Sequence, residues 1–311
     1  MSAPILPVVI QGPAVAVWNG MHIYVQKNIE VKLNRESFNV ETAEGMIDTR
    51  HKSQKYEVTL TPVGAMNQEL FDGLYFAATD IGKSIFPASP ELVIHSITED
   101  KNYTFTRAGI TKMPAVELVP TKTCWDSMTF TAIGEADVQP TDAAFMKVYG
   151  TPAAWGSGYD ETEVLTDIYR AALGARSAPY DAMGSKEGFK IEPLVTVKEM
   201  HYADLGIAEI VVASLDVHCS FAPSNLTQQQ IDVLLGLQDT VAVLPGQSYA
   251  KAGENLVISA DAFVATLYQM GAKDAEHTFE IGEHQHKGML WTSRRKFTAG
   301  VMQPLWDFSV V

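Results

Sequence analysis

The sequence predicts a mainly β protein made of two tandem modules, residues 1–150 and 151–311, each a β-barrel or β-sandwich with a short flanking helix. Two observations lead to this prediction. Short segments in which apolar and polar residues alternate occur along the whole chain, whereas segments with a helical period are few. Short patterns of the first half also recur in the same order in the second half, as expected of an internal repeat.

Three segments carry the clearest strand pattern, namely KYEVTLTPVG (55–64), SMTFTAIG (127–134) and SLDVHCSFAP (214–223). In each, apolar residues alternate with polar ones, which is the period of a strand with one buried face. The side chains expected to face the core are Tyr56, Val58, Leu60, Met128, Phe130, Ala132, Leu215, Val217, Cys219 and Phe221.

Three segments favour helices. The strongest is DETEVLTDIYRAALG (160–174), which opens the second module, because Asp160 and Glu163 form a capping-box pattern and Gly174 is a typical helix stop. The second is NLTQQQIDVLLG (225–236), and the third and weakest is MNQELFDGLYF (66–76).

The two halves match at six places with spacings between 160 and 167 residues. The matched pairs are Trp18–Met21 with Tyr180–Met183, Asn28–Val31 with Gly188–Ile191, the strand ending in Pro62 with the strand ending in Pro223, Glu91–Ile94 with Asn255–Ile258, Thr129–Gly134 with Lys296–Val301, and Val138–Pro140 with Met302–Pro304. An internal duplication accounts for this order, with a Gly- and Pro-rich junction at 149–160. Similar strand patterns arising independently in one large β protein are the alternative.

Composition and charge restrict the classes of function. The chain is 46% apolar and 19% charged, which is typical of a folded globular protein, and it has no apolar run long enough to cross a membrane. Two cysteines, Cys124 and Cys219, are too few for a disulfide framework and are expected to be small buried residues. The net charge of −14 is the opposite of what tight nucleic-acid binding needs.

A metal site is the main chemical candidate. The stretch EIGEHQHKGML (280–290) places His284 and His286 on one face of a strand, with His277 nearby. The H-x-H pattern resembles part of the cupin metal motif, but the glutamate that this motif requires a few residues later is replaced by other residues, and Lys287 disfavours a cation. The stretch is therefore predicted to be a hairpin with Lys287-Gly288 as its turn before a strand through Trp291, and a metal-dependent enzyme using the three histidines is the alternative.

Other catalytic patterns are absent from the sequence. There is no G-x-S-x-G elbow and no complete phosphate-binding loop, and the GKS triplet in Asp80–Ser84 is expected to be a loop. No catalytic, cofactor-binding or metal-ligating residues are assigned, and the protein is not expected to be an enzyme.

Two long segments of the chain are candidates for contact surfaces. They are RESFNVETAEGMIDTRHKSQ (35–54) and VTVKEMHYADLGIAEIVVAS (195–214), which lie at equivalent places before the Pro-ended strands. Both are expected to be irregular arms, too long for a tight hairpin turn, and long arms of this kind are usually functional. In a self-assembling protein they would contact a neighbour, and in a monomer they would form a lid.

The sequence resembles the tail tube, or major tail, proteins of long-tailed bacteriophages. The resemblance rests on KNIEVKLNRESFNVETAEGMIDTRHKSQKYEVTLTPVG (27–64), ELVIHSITEDKNYTF (91–105) and AGITKMPAVELVPTKTCWDSMTFTAIG (108–134), with their echoes in the second half. It implies β modules that assemble into six-fold rings, which stack into a conduit for DNA. Its partners would be tape-measure, terminator and tail-tip proteins, with only transient, non-specific passage of DNA.

The resemblance also implies a location and an assembly. The protein would belong to the virion tail after assembly in the host cytoplasm, without a membrane. Three duplicated chains would form a pseudo-hexameric ring, with a hexamer of chains as the other arrangement. The acidic charge suits such a conduit if much of it faces the lumen, because basic contacts would hold the DNA. A baseplate hub or tail terminator is a further alternative.

Overall fold

The structure, a computed structural model, describes most of the first half and about half of the second. The described residues are 8–42, 45–63, 68–119, 122–133, 146–149, 169–173, 183–202, 206–224, 226, 255–261, 263–268, 270–272, 279–280, 285–286, 289–293, 297–298, 301–302 and 304–310.

The fold is mainly β, as the sequence predicts, and every strand pair is antiparallel. The first sheet consists, in spatial order, of β1 (Val8–Ile10), β4 (Ile29–Thr42), β5 (Gly45–Leu60), β11 (Met128–Ala132) and β8 (Ala108–Lys112). The second sheet consists of β12 (Met146–Tyr149), β7 (Lys101–Phe105), β6 (Leu92–Ser96), β2 (Ala14–Trp18) and β3 (Met21–Val25).

The third sheet contains strands from both halves of the chain. Its order is β10 (Lys122–Trp125), β9 (Val116–Val119), β14 (Gly184–Tyr202), β15 (Gly206–Ser224), β21 (Met289–Ser293) and β18 (Met270–Ala272). The fourth sheet consists of β13 (Arg170–Leu173), β16 (Leu256–Ala260), β17 (Phe263–Leu267) and β24 (Trp306–Val310).

Two small hairpins complete the β structure: β19 (Phe279–Glu280) with β20 (Gln285–His286), and β22 (Phe297–Thr298) with β23 (Val301–Met302). The hairpin predicted to turn at Lys287-Gly288 is wrong, because β20 pairs with β19 and both edges of β21 are paired with β15 and β18. The strand predicted through Trp291 is confirmed as β21. Within the described ranges, none of the sheets closes into a barrel.

The side chains predicted to face the core in segments 55–64, 127–134 and 214–223 are buried, apart from the half-buried Tyr56. The first two sheets pack face to face. Trp18 on β2 contacts Phe130 on β11, with ring centroids 5.3 Å apart. The Trp18 indole N–H donates to the carbonyl of Ala108 on β8, which satisfies the buried polar group. One continuous cluster of buried apolar side chains extends from these sheets into the third and fourth.

The helix predictions have mixed outcomes. The weakest is confirmed as α1 (Gln68–Leu74), which is followed by a short 3₁₀ helix at Ala78–Asp80. The strongest is wrong at its C-terminal end, where β13 pairs with β16. Tyr169 and Ala171 are buried and Arg170 between them is exposed, so the segment has strand alternation and its place beside β16 decides the outcome. Residues 160–168, like all of 225–236 except Leu226, lie outside the described residues.

The two predicted arms are regular hairpins, so the prediction of irregular structure is wrong. Hairpin β4–β5 turns within two residues, between the paired Thr42 and Gly45, and hairpin β14–β15 turns between Tyr202 and Gly206. Both glycines have positive φ, 117° and 70°, which suits glycine at a turn. Each ladder contains β-bulges, and a bulge shifts the apolar–polar alternation by one residue, which explains why the sequence appeared irregular.

From Glu30 and Lys190 to their turns the two hairpins have the same register, and β14–β15 has one further shift, between Ser185 and Phe189, before this shared part. In β4–β5 the pairing shifts between Glu36 and Ser37 and again between Val40 and Glu41. In β14–β15 it shifts between Thr196 and Val197 and again between Met200 and His201, each position 160 residues later. The strand orders correspond as well, since β4-β5-β11-β8 and β14-β15-β21-β18 follow the same sequence of elements.

Two of the six sequence matches differ from this correspondence, and Val138–Pro140 of the sixth match lies outside the described residues. The strand beside β15 that takes the place of β11 is β21 (Met289–Ser293), whereas Lys296–Val301 falls in the β22–β23 region. Met183 forms a bridge with Ala171, as Ile23 pairs with Ala16, so it corresponds to Ile23 rather than to Met21. Short apolar strands resemble one another, and only pairing partners separate them.

Candidate assembly interface

The clearest candidate site is the surface of hairpin β14–β15, on which parts of the first half of the chain dock. β9 pairs with the edge of β14, with Leu118 opposite Phe189 and Val116 opposite Ile191. All four side chains are buried. This is strand addition to a sheet edge, in which backbone hydrogen bonds give affinity and alternate side chains give specificity. The third sheet is therefore continuous across the two halves.

A group of three charges marks the exposed side of this contact. The Lys190 ammonium on β14 lies 3.5 Å from the carboxylate of Glu117 on β9, and 3.5 Å from that of Asp126, which follows β10. Partial desolvation opposes the charge of Lys190, but the nearby carboxylates, Asp126 first, outweigh it and raise the pKa of the lysine. Desolvation likewise opposes the charge of Asp126, but the Ser127 amide and Lys190 outweigh it and lower the pKa of this carboxyl.

A second docking element covers the edge of β15 near the hairpin turn. The segment Gly82–Ile85 bonds to β15 through its backbone: Gly82 N–H donates to the Val212 carbonyl at 2.8 Å, and Ile85 N–H to the Ile210 carbonyl at 3.0 Å. In return, Val212 N–H donates to the Lys83 carbonyl at 2.9 Å. This segment contains the GKS triplet, which lies in a loop as predicted, and it bonds to the edge of β15 through its backbone.

Arg107 fastens the same region from the first half. Its guanidinium donates to the Ala208 carbonyl at 2.9 Å and to the Glu209 carboxylate at 2.7 Å, and it lies 4.5 Å from the centre of the Phe86 ring. Ser84 Oγ donates to the same carboxylate at 2.7 Å. An arginine held by a carboxylate, a carbonyl and an aromatic face is well suited to fix the orientation of two packed elements.

The helix α1 forms a further contact, between the first half of the chain and the fourth sheet. Phe71 packs against Trp125, Phe263 and Phe308, with ring centroids 5.1, 5.6 and 4.8 Å away. The Gln68 side chain donates to the Phe308 carbonyl at 3.0 Å and accepts from Val310 N–H at 3.1 Å. The helix therefore joins the first half of the chain to β17 and β24 of the fourth sheet.

Hairpin β4–β5 has the same register as β14–β15 but different surroundings. Met46 and Ile47 on β5 are 63% and 67% exposed, whereas their counterparts on β15, Ile207 and Ala208, are 8% and 3% exposed. The difference arises because Arg107 and the Gly82–Ile85 segment lie beside β15 and cover these positions. The hairpin thus presents apolar side chains at positions that are buried by docking in its counterpart.

None of the three histidines proposed for a metal site has a side chain among the described residues. His277 and His284 lie outside the described residues, and of His286 only the backbone is described, paired with Phe279. No group of three metal-ligating side chains occurs in the part of the chain that is described. Cys219 is fully buried, as predicted, and its burial raises the pKa of the thiol.

The sequence predicts the two arms as contact regions but does not predict the docking surface itself. The signal that was missed is the pair Met46–Ile47 in an otherwise polar segment. Among the described residues, no helix has the length and apolar character needed to cross a membrane. No protein-family model matches the sequence, and no curated protein matches it.

Proposed function

We propose that the chain is a structural virion protein that self-assembles into rings, and that the rings stack into the tail tube of a long-tailed bacteriophage. The observation that carries this proposal is the pair of equal hairpins, one with the first half of its own chain docked on it and one with Met46 and Ile47 exposed. A contact that is satisfied once inside the chain and repeated at its other end is the arrangement that joins identical chains head to tail.

Head-to-tail contacts of one kind close into a ring when the rotation per module divides the circle. Two copied modules per chain then allow three chains to form a ring of six similar units, which is the arrangement we favour over six chains. The duplication itself, with modules at 1–150 and 151–311, is part of the proposal and is supported by the shared positions of the bulges.

The acidic charge supports a role as a conduit. DNA moving through a tube should not be held by phosphate contacts, and a net charge of −14 per chain is unsuited to holding it. The proposed partners are therefore other copies of the chain, the tape-measure protein inside the tube, and terminator and tail-tip proteins at its ends. The protein is proposed to act without catalysis, in the virion tail, after assembly in the host cytoplasm.

Negative-stain electron microscopy of the purified protein tests the proposal and its rivals together. A tube protein gives open-ended stacks of rings, and end-on views give their symmetry. Single rings that never stack would favour a terminator or hub instead. Monomers at every concentration, with a stoichiometric transition metal found by elemental analysis, would favour a histidine-dependent enzyme.

A further inference from the structure

The turn end of hairpin β14–β15 lies on the first sheet, where β14 contacts β8 and β15 contacts β5. The Lys55 ammonium on β5 donates to the Glu199 carboxylate on β14 at 2.6 Å, and the two side chains are 26% and 27% exposed. Lys55 points away from the core, because Tyr56 beside it packs against the core and successive side chains of a strand point to opposite faces. The hairpin of the second half therefore docks on the outer face of the first sheet.

The outer face that receives this hairpin is closely covered at its centre. Thr131 on β11 points to this face, since Phe130 and Ala132 on either side of it are core residues, yet it is only 3% exposed. It lies opposite Gly109 on β8, and a Cβ at that glycine would come within 2.6 Å of Ile85. Ile85 belongs to the segment that bonds to the edge of β15, so the hairpin and this segment cover the face together.

The third sheet repeats this receiving face. Its strands β15, β21 and β18 take the places of β5, β11 and β8, and Gly271 lies opposite Thr292, which repeats the glycine–threonine pair of the first sheet. By the shared register, the place of Lys55 on β5 is taken on β15 by Asp216. The Asp216 side chain is 44% exposed, compared with 26% for Lys55. The second half therefore carries a face of the same build, with an acid where the first half has a base.

The turn end of hairpin β4–β5 carries the group that matches this acid. Asn39 on β4 takes the place of Glu199 on β14, and its side chain is exposed. The Thr49 hydroxyl donates to Asn39 Oδ1 at 3.1 Å, which leaves both N–H groups of the amide as donors. The exposed Met46 and Ile47 lie at the same end of the hairpin. This end therefore offers a donor and apolar side chains to a surface that presents a carboxylate.

We propose that the turn end of β4–β5 docks on the outer face of the third sheet of a neighbouring chain, as β14–β15 docks on the first sheet of its own chain. Asn39 then faces Asp216 of the neighbouring chain, and a bridging water joins them because both are shorter than Glu199 and Lys55. Contacts inside and between chains then run in one direction around the ring. This inference rests on the proposed function and adds to it the surface that receives the exposed hairpin.

Charge variants test the pairing of Asn39 with Asp216. Asn39→Glu places two carboxylates together and is expected to raise the critical concentration for assembly about fivefold, whereas Asn39→Lys is expected to lower it by about the same factor. Adding Asp216→Lys to Asn39→Glu recreates the pair formed by Glu199 and Lys55, and this double variant is expected to assemble at least as well as wild type. A double variant as defective as Asn39→Glu alone would overturn the proposed contact.

A cross-link between chains tests the same contact directly. Chains with Asn39→Cys are mixed with chains carrying Asp216→Cys, assembled, and treated with a short bis-maleimide. Cross-linked dimers are expected in the assembled mixture, and the matched control with Ile97→Cys in place of Asn39→Cys should give none above the wild-type background. Assembled tubes without this cross-link would overturn the inference and leave the proposed function in place, whereas a wild-type chain that never assembles would overturn both.

Discussion

Replacing the exposed apolar pair on β5 should abolish assembly without harming the free chain. The double substitution Met46→Ser and Ile47→Ser removes two side chains that are 63% and 67% exposed. Because they contribute little to the folded monomer, the free energy of unfolding should change by less than about 0.5 kcal/mol.

The expected effect on assembly follows from the same exposures. Complete burial of such a side chain is worth about 1.5–3 kcal/mol, and about two thirds of each is still exposed to water in the free chain. Burial against a neighbour, as Ile207 and Ala208 are buried, then contributes about 1–2 kcal/mol each, or about 2–4 kcal/mol for the pair. The association constant of the double variant should fall about 30-fold to several hundredfold.

Sedimentation measures the critical concentration, and urea denaturation of unassembled protein measures stability. Ile97→Ser is a matched control, because Ile97 is 45% exposed in the turn between β6 and β7, and it should affect neither quantity. Ile207→Ser changes the buried counterpart and should lower the unfolding free energy by about 2–4 kcal/mol. Normal assembly of the Met46 and Ile47 double variant would refute the idea that β5 is a docking surface.

Three further results are expected. Gly188→Ala should lower the free energy of unfolding in urea by about 1–3 kcal/mol more than Gly20→Ala. Both glycines have positive φ near 84°, but an added Cβ at 188 lies 2.5 Å from the Leu118 carbonyl oxygen, whereas one at 20 meets nothing within 4 Å. Equal costs would contradict the close approach of β9 to β14. The pKa of the Asp126 carboxyl is lowered, so its ionised form stabilises the chain above its ordinary pKa of 3.8, and this contribution is lost as the pH falls through the lower folded pKa. Asp126→Asn should therefore lower the urea midpoint at pH 7, and the difference from wild type should shrink as the pH falls below 3.8. A difference that stays constant in acid would contradict this. Cys219 should resist thiol reagents in the native chain and react on unfolding, because burial disfavours its thiolate. Peptide mapping of the labelled chain measures this, and rapid labelling of the native chain would show that the thiol is accessible.

The local strand patterns could be predicted because each depends on a short stretch of sequence. The alternation of Val58 and Leu60, or of Val217 and Cys219, directly reflects a strand with one face in the core. The first arm does not show this alternation because two bulges insert an extra residue into β5, at Lys52 and at Ile47, and a bulge is visible only once the partner strand is known. The helix predicted over 160–174 is wrong at Arg170–Leu173 because the capping signals are local, whereas the pairing of this strand with β16 is not.

The docking surface could not be predicted because it depends on residues far apart in the sequence. Lys190 and Glu117, or Arg107 and Glu209, meet only when the two halves of the chain are packed together. The sequence does contain the exposed pair Met46–Ile47, but an apolar pair in a strand is usually core. The comparison with Ile207 and Ala208, which are buried at the corresponding positions, indicates instead that the pair lies at a contact surface.

The paired bulges have a mechanical consequence. A plain two-stranded ribbon can slide by two residues and keep its side chains on the same faces, but a ribbon with two bulges at fixed places loses pairs if it slides at all. Each long ribbon therefore has one length and one curvature before it meets anything else. In the assembly that we propose, the polymer would take its dimensions from single chains, so errors of alignment would not accumulate from one layer to the next.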